Sequence, residues 1–247
     1  MRHPFFASSR PLVFAHRGGS ALAPENTLAA FEQAVARGAD GVELDVRVSS
    51  DGRVVVHHDA TLDRTTTLHG PVNRRTAAEL GHAHVPELHS VLRVCRDLRV
   101  IVDLKVNDPA FGRLVVAELR KAGAVDRVCV GGVRRGVLRA IRHEEPALAT
   151  SAAREDVRLA LYRTWLRWPV TSPVYDGYQI PERAGLTRVV SPQFIADAHR
   201  AGLGVQVWTV NDEADARRLL GWGVDALITD RPDVMVPLVR GDATAVP

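Results

Sequence analysis

The sequence predicts an α/β fold, a (β/α)8 TIM barrel with a small extra β-hairpin after the second strand. Three observations carry that prediction. Eight short apolar runs, several rich in Val and Ile, alternate with longer amphipathic stretches. The 247 residues suit one barrel domain better than a doubly wound sheet of five or six strands. Charged residues stand at the ends of otherwise apolar strands, where a barrel gathers its reactive groups.

Strands are expected at residues 12–15, 41–46, 100–104, 127–130, 147–150, 176–179, 204–208 and 226–228. Helices are expected at 27–37, 86–96, 109–121, 134–142 and 213–220, each with apolar residues at three- and four-residue spacing. A ninth strand at 54–57 follows the turn Ser50-Asp51-Gly52, since Asp-Gly between apolar runs is a hairpin signal. The domain spans 12–240, preceded by an N-terminal segment 1–11 and followed by a flexible tail 241–247, and the stretch 60–98 leaves no room for a separate insertion domain.

Composition narrows the class. With 46% hydrophobic and 25% charged residues the chain is an ordinary globular sequence. The net charge is only +3, and the basic residues, two lysines among a scatter of arginines, form no single stripe, which argues against a nucleic-acid partner. Cys95 and Cys129 are expected as buried thiols. Residues 1–11 lack the apolar core of a secretory signal and no apolar run reaches 18 residues, so a cytoplasmic protein is expected.

The chemistry gathers at strand ends. The first strand runs into His16-Arg17-Gly18-Gly19; the second carries Glu43 and Asp45, two apart and therefore on one face; the third ends in Asp103 and Lys105 with the same spacing. Buried without partners these charges would cost several kcal/mol each, so they must face one another, a metal or a ligand. Parallel strands would bring them to one mouth, where oxygen ligands suit a hard divalent cation, Mg2+ or Ca2+ with Mn2+ also admissible, better than a thiolate-bound zinc. The hairpin delivers His57-His58-Asp59 to the same rim, with His57 facing away because neighbouring strand residues alternate.

Taken together, HRG at residues 16–18, PENT at 24–27, ELD at 43–45, HHD at 57–59 followed by Arg64-Thr65-Thr66, WTVN at 208–211 and TDRP at 229–232 resemble the glycerophosphodiester phosphodiesterase family over essentially the whole domain. That resemblance implies a TIM barrel and metal-dependent hydrolysis of glycerophosphodiesters to glycerol 3-phosphate and an alcohol. It implies His16 and His58 as the acid/base pair, Glu43, Asp45 and Asp103 as ligands of one divalent cation, and Arg17 and Lys105 as phosphate contacts. It also implies attack by the glycerol 2-hydroxyl, giving a cyclic phosphate that water opens. Trp208 is placed near the glycerol or leaving group, with Gln179 and Asn26 as further substrate contacts. Where the family usually holds Glu, this chain has Asp103, about 1.5 Å shorter in reach.

Three features have alternative readings. Pro24 and Asn26 can set the turn and cap before the first helix, and His82, His84 and His89 read as a solvated loop rather than a second metal site. Tyr162, Trp165, Trp168, Tyr175 and Tyr178 are five of the 13 Phe, Trp and Tyr residues; packing against the barrel or a partner subunit is expected, with a lipid surface or a lid as the other readings. Monomer and dimer are both open. Rival functions are lysophospholipase D or cyclising phospholipase D activity on lysolipids, and a phosphodiester-binding barrel without turnover. A metal-dependent amidohydrolase is more remote, because its first strand normally carries a His-x-His pair.

Overall fold

In the computed structural model, which describes residues 2–132 and 134–241, eight parallel strands curl into a barrel. The elements run β1 (Leu12–His16), α1 (Leu28–Ala36), β2 (Gly41–Val48), β3 (Val54–Val56), α2 (Ala77–His82), α3 (Leu88–Val94), β4 (Arg99–Leu104), α4 (Pro109–Lys121), β5 (Val128–Gly132), α5 (Arg135–Glu144), β6 (Ala149–Thr150) and α6 (Arg154–Trp165). They continue with β7 (Gly177–Pro181), β8 (Arg183–Ala184), β9 (Thr187–Arg188), α7 (Pro192–Arg200), β10 (Gly204–Trp208), α8 (Glu213–Gly221), β11 (Ala226–Thr229) and α9 (Pro232–Arg240).

The barrel order is β6-β5-β4-β2-β1-β11-β10-β7, and a parallel bridge between Ser151 and Gly177 joins its two ends. All eight expected barrel strands are present. The expected hairpin is β2 with β3, antiparallel, Val46 opposite Val56. The chain adds α2, α7 and α9 and the small hairpin β8–β9, none of which the apolar spacing singled out.

Local chemistry explains the elements. Helix α4 starts with the Asp108 side chain accepting from Ala110 N–H, has Pro109 in its first turn, and ends in Arg120 and Lys121 against the carbonyl end of the helix dipole. Its Phe111, Val115 and Leu119 recur every four residues and are buried. Helix α1 is capped by Thr27, whose hydroxyl accepts from Ala30 N–H, and not by Asn26. Outward-facing strand residues such as Leu44, Val102 and Val130 join the helices in one apolar layer.

The segment ahead of β1 is part of the barrel. Phe5 and Phe6 are buried and join Phe14, Ile101, Cys129 and Ile228 in a cluster inside the strands. Room for Phe6 comes from Gly177 and Gly204 at the starts of β7 and β10, where an added Cβ would stand 2.5 and 2.4 Å from the Phe6 ring. Phe14 fills the space over Gly41 in the same way. These aromatics close the end of the barrel where the strands begin. Residues 60–85 fold over the barrel flank around Leu62, Val72, Leu80 and Val85. The tail expected at 241–247 lies, beyond Gly241, outside the described residues.

Candidate active site

The opposite end of the barrel is open. A cavity of about 670 Å³ there is lined by His16, Arg17, Glu43, Asp45, His58, Asp103, Lys105, Gln179 and Trp208, nine of the ten residues singled out in the sequence. They converge because the strands are parallel and in register: His16 lies beside Glu43, and Asp45 beside Asp103. Gly131 keeps the floor open, since a Cβ there would press on the Gln179 and Ser151 side chains at 3.0 and 3.2 Å.

The tenth residue, Asn26, sits elsewhere. It is buried outside the cavity lining, donating from Nδ2 to Asp45 Oδ2 at 2.9 Å. Asn26 and Arg17 both adopt left-handed backbone, φ +58° and +53°, and Asn26 N–H donates to the Arg17 carbonyl at 2.9 Å. Such conformations cost about 1–3 kcal/mol for side-chain-bearing residues and persist where surroundings fix them. Here they aim Arg17 across the cavity, with its Nε buried and lacking a hydrogen-bond partner. Gly18, at φ +86°, lets α1 approach: a Cβ would meet Ala30 Cβ at 2.7 Å.

Each histidine is held by a carboxylate. His16 Nδ1 lies 2.6 Å from Asp230 Oδ1, and Asp230 also accepts from Ser20 Oγ at 2.5 Å and Asn211 Nδ2 at 2.7 Å. His58 Nδ1 lies 2.6 Å from Asp59 Oδ1, and Arg64 Nε donates to Oδ2 of the same carboxylate. With Nδ1–H donating to the carboxylate, Nε2 of each ring is left to exchange a proton. Burial works against the charged His16, but the hydrogen bond to Asp230 and the Glu43 charge outweigh it and raise its pKa. Asp230 itself titrates far below its usual range, because His16, Ser20 and Asn211 overcome the cost of burial.

The acidic cluster is strongly polarised. Burial, then repulsion from Asp45 and Asp103, pushes Glu43 up to about 8. Asp45 is held low despite its burial, because Lys105 Nζ stands 2.8 Å from Oδ1 and Arg17 Nε lies 3.4 Å from Oδ2. Lys105 also reaches Asp103 at 2.6 Å. Among the described residues no three or more His, Cys, Asp or Glu side chains stand together at ligand spacing, here or around His82, His84 and His89. The ammonium of Lys105 takes the place between two of the carboxylates. The donor set nonetheless fits a hard cation: three carboxylates share one cavity, and burial with repulsion from its neighbours raises Glu43.

A bridge missed in the sequence ties Arg17 to the hairpin. Glu25 accepts from Arg17 Nη1 at 2.9 Å and from Arg64 Nη2 at 2.7 Å, and Arg64 Nε donates to Asp59 at 2.6 Å. Glu25 and Arg64 stand in or next to the PENT and HHD motifs, so their presence was visible and their pairing was not. The other side of the cavity is apolar, formed by Val157, Leu161, Tyr162 and Trp165 of α6 with Val189 and Trp208. Of the five clustered aromatics only Tyr175 and Tyr178 pack inward, their hydroxyls 3.0 Å apart. The expectation that the other three pack against the barrel is corrected: α6 buries Asp156, Ala160 and Thr164, and Tyr162, Trp165 and Trp168 lie exposed.

Comparison with known proteins agrees with this geometry. The model of the glycerophosphoryl diester phosphodiesterase family matches residues 16–234. The chain is 29% identical over 251 residues to a glycerophosphodiester phosphodiesterase of Caldanaerobacter subterraneus, covering 94% of this chain and 98% of that protein. It is 31% identical to one of Bacillus altitudinis, covering 92% and 97%. The structure of an Oleispira antarctica phosphodiesterase in complex with the product sn-glycerol-3-phosphate superposes with a TM-score of 0.76 at 26% identity, over 94% of this chain and 97% of that one. With nearly nine-tenths of the chain matched, it belongs to the glycerophosphoryl diester phosphodiesterase family.

Proposed function

We propose that this chain hydrolyses glycerophosphodiesters to glycerol 3-phosphate and an alcohol at the open end of the barrel, with His16 and His58 as the acid/base pair. The observation that carries the reading is the pair of histidine–carboxylate contacts opening into one cavity beside Arg17 and Lys105. A phosphodiester binds with its charge on Arg17 and Lys105, since phosphoryl transfer depends chiefly on positioning and charge stabilisation.

The glycerol 2-hydroxyl gives its proton to Nε2 of one histidine as its oxygen bonds to phosphorus. The phosphorus bond to the alcohol breaks, and the other imidazolium protonates the departing oxygen. Water then opens the cyclic phosphate with the two histidines in exchanged roles. Asp230 and Asp59 keep each ring in the tautomer this requires. Gln179, 3.0 Å from Gln206, and Trp208 border the same space and orient the organic part of the substrate.

Members of the family generally depend on a divalent metal. Glu43, Asp45 and Asp103 would hold that cation, Mg2+, Ca2+ or Mn2+, which when bound supplies positive charge to the non-bridging phosphate oxygens. Asn26 supports this set by holding Asp45 rather than by touching substrate. We also propose a cytoplasmic setting, supported by two unpaired cysteines; no helix among the described residues is long and apolar enough to cross a membrane.

The test is turnover of glycerophosphocholine by wild type, His16→Ala and His58→Ala, before and after chelation and re-addition of each cation. Each variant is expected to lose on the order of 10²-fold or more. Near wild-type rates in either would overturn the acid/base pair, and full activity after chelation would overturn the metal reading.

A further inference from the structure

The face beside the cavity mouth is unusual for a protein surface. Leu166 and Trp168 follow α6, Val174 lies in the loop before β7, and Leu186 is at the tip of the β8–β9 hairpin; these side chains are 69%, 68%, 70% and 96% exposed. Single exposed apolar residues are common, but a run of them in two neighbouring segments marks a contact surface. The segments are neighbours because Tyr162 and Trp165 of α6 and Ala184 and Thr187 of the hairpin border one cavity.

The same face is positively charged. Arg158, Arg163 and Arg167 have no carboxylate within 4.0 Å among the described residues, whereas the α6 acids are already taken: Glu155 and Asp156 face Arg134 and Arg135 at 3.8 and 2.7 Å. Elsewhere the chain does pair such groups, as Arg120 is bound to both Glu144 and Glu145. Aromatic and aliphatic side chains interleaved with unpaired arginines are the composition of an element lying in the headgroup region of an anionic bilayer, where rings reach the acyl boundary and guanidinium groups meet phosphate.

We propose that the rim formed by the end of α6, the residues that follow it and the β8–β9 hairpin docks on an anionic lipid surface. Docking there sets the mouth of the barrel against the membrane, with the apolar wall of the cavity continuous with the lipid and the charged wall on the far side. The occupant is a bilayer rather than a protein helix or a second copy, because the unpaired charge is all of one sign and a self-contact would set these arginines against each other.

Cosedimentation tests it, with vesicles of phosphatidylcholine alone and of phosphatidylcholine mixed about 3:1 with phosphatidylglycerol. Wild type is expected to pellet with the mixed vesicles and to remain free with the neutral ones. Arg163→Gln/Arg167→Gln is expected to bind the mixed vesicles on the order of tenfold more weakly, as is Leu166→Ser/Trp168→Ser/Leu186→Ser. None of these side chains lines the cavity, so hydrolysis of glycerophosphocholine in lipid-free buffer is expected to be unchanged, which keeps this result separate from the catalytic reading and shows that the variants fold. Absence of wild type from the mixed-vesicle pellet, equal binding by the variants, or a dimer in lipid-free buffer that the serine variant dissociates would overturn the proposal.

Discussion

His16 and Asp230 are 214 positions apart in the chain and their Nδ1 and Oδ1 atoms are 2.6 Å apart in the fold. The contact forms because β1 and β11 are hydrogen-bonded neighbours, Ala15 beside Thr229, so the residues that follow them leave the barrel side by side. Asn211 completes the arrangement from the loop after β10: its Oδ1 accepts from Asp230 N–H at 2.8 Å while its Nδ2 donates to the carboxylate.

That geometry predicts the outcome of Asp230→Asn. An amide keeps the size of the carboxylate and can turn its own NH2 toward Nδ1, favouring the wrong tautomer of His16. Turnover is expected to fall by on the order of 10²- to 10⁴-fold with KM for glycerophosphocholine little changed, measured by steady-state kinetics. Asn211→Ala, which leaves the carboxylate but loosens it, is expected to cost less.

Glu25 and Arg64 are expected to act as one unit. Removing either leaves the other's partner facing a buried or half-buried charge, so Glu25→Gln, Arg64→Ala and the double variant are predicted to be non-additive. A double-mutant cycle on kcat/KM checks this, with a coupling of about 0.5–3 kcal/mol expected.

Acid stability follows from the same chain of pairs. Asp59 is held well below its usual range by Arg64 first, against the cost of burial, with His58 lowering it further, and Glu25 is lowered chiefly by Arg64. A carboxyl whose folded pKa is depressed stabilises the fold above its unfolded value and loses that contribution as pH falls toward the folded value. Wild type is therefore expected to be more stable than Asp59→Asn at pH 7, and the gap in Tm to narrow below about pH 4. Thermal melts of both proteins across that range are the check.

The barrel floor makes a packing prediction. Phe6→Ala is expected to destabilise by about 3–5 kcal/mol and Gly204→Ala by about 1–3 kcal/mol, the first by opening a void and the second by forcing a methyl group into the Phe6 ring. Urea unfolding at constant slope measures both.

Neither cysteine is expected to react with a thiol reagent in the native state. Burial pushes the Cys95 thiol up to about 12 despite the nearby Arg127, and Cys129 is buried inside the strands and raised as well. Both are expected to titrate with Ellman's reagent only after unfolding.

The barrel was legible because its strands are short Val- and Ile-rich runs bounded by turn residues, a pattern with one structural meaning. Glu43, Asp45, Asp103 and Lys105 were legible for the same reason: a period of two on an apolar strand points such side chains to one side. What was hidden depends on distance in space. Nothing local tells that Asp230 holds His16, or that Asn26 turns inward to Asp45 while Thr27 caps the helix. Packing of the α6 aromatics on the barrel was misjudged because three-residue spacing reports a shared face but not which way it points; the small side chains Ala160 and Thr164 took the inner one. The N-terminal pair Phe5-Phe6 gave no periodic signal, being too short to form one.

That pair of rings leaves the barrel, among the described residues, open at one end. With the strand-start end stoppered by Phe5 and Phe6, a new substrate molecule, incoming water and both departing products must all pass the rim that carries Trp165 and Trp208. Arrivals and departures share that rim, so on the proposed mode of binding a glycerol phosphate held at Arg17 and Lys105 would stand in the way of the next substrate.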